Sequence, residues 1–558
     1  MKKFLYTAFM LTISVAIDAQ SAYDAQNIVQ GDLNGTARYI GMGGALGALG
    51  ADLSTMSNNP AGTGLYRRSD ASFTFGGQIT GNQGAMGHDR GRMSIDQAGV
   101  LFVLGGDGGD LRNLNFGINY QKKRNFLSNW NKDLNLSGGS QTFQMAEMAT
   151  DAFNNEEFYD NQYFRNPYYG ALVDYAAPLV DYSNSSNGDA YDGVFESTNV
   201  ANFKEKYEEY VRIYNEESAK ANPDMERVKR AENAVPTFLY FGSPANAANY
   251  RRATYGSNSQ IDFNLSANLS DRFFAGLSVG IYTMTYDREA AYSEETDYAS
   301  YTLRNKYHSS ADGVDVKFGV IFRPVEDSPF RIGLMAHTPT WYKTREYNSL
   351  SLDAETVYGT NPMGDYTSDE YEYNFRTPWK FGVSLGHTVE NYLAFGIEYE
   401  YQDLASAKYS YSRNVGYASD FDYTNDKIKS HLKGQHTLKV GVEAKPDDAF
   451  SVRLGYNYIS SPFKSDAYKH LEYDNSLCET DYTNWKDTHR ITFGLGYRYK
   501  GGYIDLAYQY QMQSGDFYAY DYGGDYTEFS TTGSAGTPTP TKISNNRSQI
   551  VATLGFKF

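Results

Sequence analysis

The stretch Arg547-Ser-Gln-Ile-Val-Ala-Thr-Leu-Gly-Phe-Lys-Phe558 sets Ile550, Ala552, Leu554, Phe556 and Phe558 at every second position and finishes on an aromatic residue. Successive side chains of a strand point to opposite faces, so this spacing gives one continuous apolar face. An apolar face ending in aromatics is what a lipid-facing strand of a transmembrane β-barrel presents.

The same alternation recurs upstream. Its cleanest instance sets Ile261, Phe263, Leu265, Ala267 and Leu269 against Asp262, Asn264, Ser266, Asn268 and Ser270. Comparable segments run over 73–79, 98–104, 114–120, 273–286, 314–322, 332–341, 381–385, 393–401, 438–444, 452–458, 491–499 and 504–510. With 261–269 and 550–558 the count is about fourteen, an even number, as single-chain bacterial barrels require. Connection lengths alternate as well. Short turns at 105–110, 323–328, 445–448 and 500–502 are separated by long polar stretches near 81–95, 123–257, 288–306, 342–374, 409–433, 463–487 and 515–546. Outer-membrane barrels have short periplasmic turns and long external loops. The parity therefore predicts an all-β, antiparallel transmembrane barrel over 69–558, with both termini periplasmic and the long loops outside.

Composition agrees with that fold. The chain carries 51 Tyr, 32 Phe and 52 Gly against 15 Pro, which suits the aromatic girdles at the two membrane interfaces. Beyond the N-terminus no run approaches the roughly 18 to 20 apolar residues that a transmembrane helix needs, so any span must be made of strands. Residues 1–19 combine Lys2 and Lys3, a short apolar core and Ala19, the pattern of a secretory signal peptide, with the mature chain expected from Gln20. No Cys follows the cleavage point, and the lone Cys478 allows no intramolecular disulfide.

A net charge of −17 argues against nucleic acid as a partner, since that needs a basic face. The acidic stretches 365–372 and 516–525 read as solvated loops, or as sites where divalent cations bridge to lipopolysaccharide headgroups. Outer-membrane lipid and lipopolysaccharide are accordingly expected partners of a monomer. The eight His are scattered and none lies in a Gly-x-Ser-x-Gly motif, so neither catalysis, a metal site nor a cofactor is expected.

The insertion at 123–257 contains two helical stripes. Met145, Met148, Ala149, Ala152 and Phe153 form one, and Phe203, Tyr207, Tyr210, Val211 and Tyr214 the other. They read as helices packed on the barrel rim, as a lid over its mouth, or as a partner surface. Residues 20–68 do not alternate. They hold Gly41-Met-Gly-Gly-Ala-Leu-Gly47 and Ser57-Asn-Asn-Pro-Ala-Gly62, dense in residues that permit tight turns and close packing. A dinucleotide fingerprint fails on register, because Leu46 stands where the third glycine belongs.

At Gly41, Met42, Gly43, Gly44 and Ala45, and again at Asn59, Pro60, Ala61 and Gly62, the chain resembles the FadL/TodX family of outer-membrane transporters for hydrophobic compounds. The resemblance implies a fourteen-stranded barrel plugged by an N-terminal hatch over 20–68. It implies a hydrophobic small-molecule ligand, such as a long-chain fatty acid or aromatic hydrocarbon. That ligand passes by diffusion from an external groove to an apolar pocket above the hatch, then sideways into the membrane through a kinked third strand. In this chain that strand is 114–120, with Gly117 the residue most able to bend. The terminal Leu554, Phe556 and Phe558 resemble the signal read by the barrel-assembly machinery. The alternative is a related barrel that shuttles cargo in type 9 protein secretion, for which the large polar insertion serves as the partner surface.

Overall fold

The computed structural model describes residues 21–558 except 82–85, 106–108, 137–139, 142–179, 186–187, 194–208, 210, 230–246, 296–299, 357–358, 363–365, 368–369, 412–420, 470–479 and 521–538. The signal peptide, Cys478, the stripe at 145–153, and Phe203, Tyr207 and Tyr210 lie outside the described residues.

Fourteen strands close into one antiparallel barrel. They are β1 Asp70–Thr80, β2 Gly91–Gly105, β3 Leu111–Asn125, β4 Ala247–Leu269, β5 Phe273–Glu295, β6 Ser300–Phe322, and β7, made of Arg331–His337 and Trp341–Thr356. The circuit continues with β8, made of Tyr371–Arg376 and Lys380–Val389, then β9 Leu393–Asp403, extended by Lys408–Tyr411, β10 Gly434–Ala444 and β11 Phe450–Ile459. It ends with β12 Tyr482–Tyr499, β13 Gly502–Tyr518 and β14 Arg547–Lys557. β14 pairs with β1 from Asp70↔Lys557 to Thr80↔Arg547, and that ladder removes the sheet edges.

The reason for the alternation is visible on β4. Ile261, Phe263 and Leu265 are 42%, 41% and 48% exposed on the outer wall, whereas Asp262, Asn264 and Ser266 are buried inside. Polar side chains thus line the lumen while apolar ones form the outer belt. No described helix is long and apolar enough to cross a membrane. A closed barrel with this belt satisfies every backbone group within the sheet, which is the condition for crossing lipid with strands. The chain is an outer-membrane type of barrel.

Two expectations about connections need correction. The stretches 288–306 and 342–374, read as long loops, are mostly sheet: β5 runs to Glu295 and β6 begins at Ser300 in one continuous register, and β7 continues along β6 to Glu355 while Tyr371–Arg376 pairs back onto it. Beyond the lipid neither face of a strand needs to be apolar, so the sequence signal fades while backbone pairing continues. The insertion is likewise shorter than 123–257. β3 reaches Asn125, Ser128–Leu134 pairs onto β4, and β4 starts at Ala247. Of its second stripe, Val211 and Tyr214 fall on a described helical stretch, where Tyr214 is exposed.

Candidate functional site: the lumen and the β6–β9 wall

Residues 21–66 form short helices and turns rather than strands. Helix α1, Ala22–Val29, starts in a capping box between Ser21 and Asp24, and α2, Ala37–Gly41, is capped by Thr36. Two 3-10 turns follow, Leu53–Ser57 and Pro60–Leu65. Gly43 and Gly44, at φ +63° and +82°, take a left-handed backbone that side chains rarely adopt. Nearly all of this segment is buried.

The two glycine-rich motifs meet in space. Asn59 donates from Nδ2 to the Gly47 carbonyl at 2.8 Å, and its Oδ1 accepts from the Ala61 amide at 3.2 Å. Asn59 also caps the turn that Pro60 opens, a position where proline's missing donor is harmless. The Gly62 amide bonds to the Asn59 carbonyl, while Ala61 packs with Phe274 and Ile321. Glu398 gathers three donors around the first motif: the Gly47 amide at 2.9 Å, Asn58 Nδ2 at 2.8 Å and Lys439 Nζ at 2.7 Å.

Both motifs lie along a row of strand glycines that sequence reasoning did not single out. Gly386, Gly396, Gly441 and Gly455 are successive register partners across β8 to β11, and Gly276 faces Gly319 across β5 and β6. A Cβ on Gly441 would overlap the Met42 carbonyl, and one on Gly455 would stand 2.5 Å from the Met42 carbonyl carbon. At β12, Gly494 lies against Gly41, and at β5 and β6, Gly276 and Gly319 admit Pro60 and Asn59. The only signal available in sequence was a glycine at the lumen-facing step of an alternating strand, such as Gly276 between Phe274 and Ser278.

Ion pairs fill much of the remaining lumen. Lys317 Nζ reaches Asp262 at 2.6 Å and Asp315 at 2.8 Å, and Arg453 bridges Glu443 at 2.7 Å and Asp505 at 2.5 Å. Arg38 of α2 adds a second guanidinium to Glu443 at 3.0 Å. A cavity of about 160 Å³ remains beside the N-terminal segment, bordered by Tyr39, Lys123, Lys317, Lys380, Glu400 and Arg490. The expected apolar pocket is therefore not at this level. The inward steps of β6 and β8 to β10 carry charge there. Apolar surface lies further toward the long loops, where Tyr282, Tyr286, Tyr307, Tyr342, Tyr373, Phe375 and Tyr409 cluster around α1.

The pairing register is regular at Gly117. This residue pairs with Leu101 on one side and Asn264 on the other in unbroken register, and the irregularities of β3 fall at Leu111/Asn113 and Lys122/Arg124. The missing side chain of Gly117 makes room for Met56 of the N-terminal segment. The wall is broken elsewhere. The expected single strand 332–341 is split at Thr338-Pro-Thr340, and β8 is split opposite it at Thr377-Pro-Trp379. Between His337↔Lys317 and Trp341↔Val314, β7 advances four residues while β6 advances three, so the extra residue bulges. Proline cannot donate to a ladder. Threonine hydroxyls stand in as acceptors, Thr338 Oγ1 for the Val316 amide at 3.0 Å and Thr377 Oγ1 for the Thr340 amide at 2.8 Å. β9 is interrupted at the same height by a 3-10 turn, Leu404–Ser406. Outside this break is a dent of about 620 Å³, bordered by Gly313, Val314, Trp341, Tyr342 and Phe375 among others.

Barrels of similar build have been solved. A crystal structure of a Pseudomonas aeruginosa FadL homologue matches at 12% identity with a TM-score of 0.47, covering 95% of this chain and 99% of that one. The Ralstonia pickettii toluene transporter TbuX matches at 12% identity and a TM-score of 0.44, over 94% and 99% of the two chains. The P. putida toluene transporter TodX does so at 11% and 0.43, again over 94% and 99%. No family model and no curated protein matches the chain. At such identities and TM-scores the likeness assigns no cargo.

Proposed function

We propose that the protein takes up hydrophobic compounds across the outer membrane by passive diffusion, with residues 20–68 acting as a hatch and release occurring sideways through the β6–β8 wall. The observation that carries this reading is the double position of Tyr342 and Phe375. Both belong to the aromatic cluster inside the barrel, and both border the dent outside it. Two side chains thus stand between an apolar interior and lipid, where Pro339 and Pro378 have removed ladder donors. An acyl chain gains about 0.8 kcal/mol per buried CH₂, so a route from aromatic cluster to lipid is favoured over the polar lumen below.

The test is uptake of a radiolabelled long-chain fatty acid and of an aromatic hydrocarbon by cells carrying wild type, Tyr342→Ala/Phe375→Ala, or a deletion. The widened wall is expected to raise uptake above wild type, and the deletion to abolish the saturable part. Equal uptake by all three strains refutes transport and favours the cargo-shuttle alternative.

A further inference from the structure

We propose that the outer dent on β6 to β9 is a binding site for a phosphorylated acyl lipid of the surrounding leaflet, with Arg376 and Lys408 holding the phosphate. The inference is independent of whether cargo passes through the wall. Its basis is a row of outward side chains in register: Val314 on β6 faces Trp341 on β7, Trp341 faces Arg376 on β8, and Arg376 faces Lys408 on the extension of β9. Apolar surface thus gives way laterally to two adjacent cations.

Like charges directly opposite each other across a strand pair repel. In a chain of net charge −17 an acidic neighbour would be easy to supply, yet among the described residues neither Arg376 nor Lys408 forms an ion pair. The nearby acids are engaged elsewhere. Glu372 takes Lys343 at 3.0 Å and Arg345 at 3.3 Å, and Asp312, the one carboxylate bordering the dent, faces Lys343 in register. Both unpaired cations are exposed.

Their height fits a headgroup. Trp341 is 49% exposed beside them, and Trp379, 47% exposed, stacks on Phe381 at 6.0 Å three residues further along β8. Tryptophan marks the membrane interface, so Arg376 and Lys408 stand where lipid phosphates lie. A guanidinium binds phosphate with paired hydrogen bonds, and the adjacent ammonium adds a point charge. Val314 and Trp341 then offer the apolar floor along which an acyl chain packs. A free phosphate ion gains nothing from that floor, which selects the lipid.

The experiment uses the full mature chain in mild detergent, titrated with bis-phosphorylated lipid A and, separately, its dephosphorylated form and inorganic phosphate, read by native mass spectrometry. Wild type is expected to retain the phosphorylated lipid. Arg376→Gln/Lys408→Gln should bind at least about tenfold more weakly, and Arg376→Lys/Lys408→Arg should keep most of the affinity. Both side chains point away from the lumen, so heat-modifiable migration should report intact barrels for every variant; the single Lys408→Gln change provides a milder check. Equal retention by the neutral double variant, or equal wild-type binding of the dephosphorylated lipid, overturns the proposal. Binding of inorganic phosphate alone with the same affinity overturns the lipid assignment.

Discussion

At the scale of single residues, the glycine row makes the sharpest demand. Gly441→Val places a branched side chain against the Met42 carbonyl in a space already filled by backbone. Overpacking of a tight interior typically costs about 1–3 kcal/mol, and the N-terminal segment is the part able to give way. Limited proteolysis of purified barrels is expected to cut residues 21–66 faster in Gly441→Val than in wild type. Gly105→Ala, whose added Cβ meets nothing within 4 Å, should not change the rate. Unchanged cleavage in Gly441→Val would mean that the row does not seat the segment. The sequence exposed Gly41 to Gly44 and Asn59 to Gly62 as unusual, because a run of small residues stands out within one segment. It hid their counterparts, because Gly386, Gly396, Gly441 and Gly455 become neighbours only through register across four strands.

At the scale of elements, the last strand was legible for a physical reason. Lipid imposes an apolar outer face, and Leu554, Phe556 and Phe558 keep it at 47%, 55% and 56% exposure. Phe558 also stacks on Phe556 and meets the Phe102 ring edge-on, and its amide bonds to the Ser69 carbonyl beside β1. Deleting Phe558, or changing it to Asp, is expected to reduce folded barrel in the outer membrane, as measured by heat-modifiable migration and periplasmic degradation. Full yield from the deletion would remove the assembly role. Elements were less legible where lipid imposes nothing. The upper parts of β5 and β6 carry Arg288, Glu294 and Asn305 inward, with no apolar face outside to set a period. The expected strand 332–341 ran straight through Pro339, and the structure splits it there. The significance of Pro339 and Pro378 was not legible, because it depends on their lying side by side in the wall.

At the scale of the whole molecule, the barrel has two unlike ends. Turns such as Lys445 to Phe450 are short, whereas the opposite end carries the insertion and the helix Asp422–His431. In a Cys478→Ser background, a cysteine placed at Lys229 or Ser430 should react with a membrane-impermeant maleimide on intact cells, and one at Asp448 should not. The reverse pattern would invert the barrel and place the lipid site in the inner leaflet.

Beyond the room that Gly117 leaves for Met56, most of the seat of the N-terminal segment is built from β4 to β14, up to hundreds of residues downstream of the segment itself. The part of the chain synthesised first is therefore the last to find its place. Until those strands exist, residues 21–66 have no surface of the right shape to rest on. A chain truncated after β9 should leave them as sensitive to protease as an unfolded peptide, whereas one extended through β12 should begin to shield them. Early protection in the shorter chain would mean that the segment folds on its own and merely docks. Otherwise biogenesis has to keep the first-made segment loose until the last strands that receive it are finished.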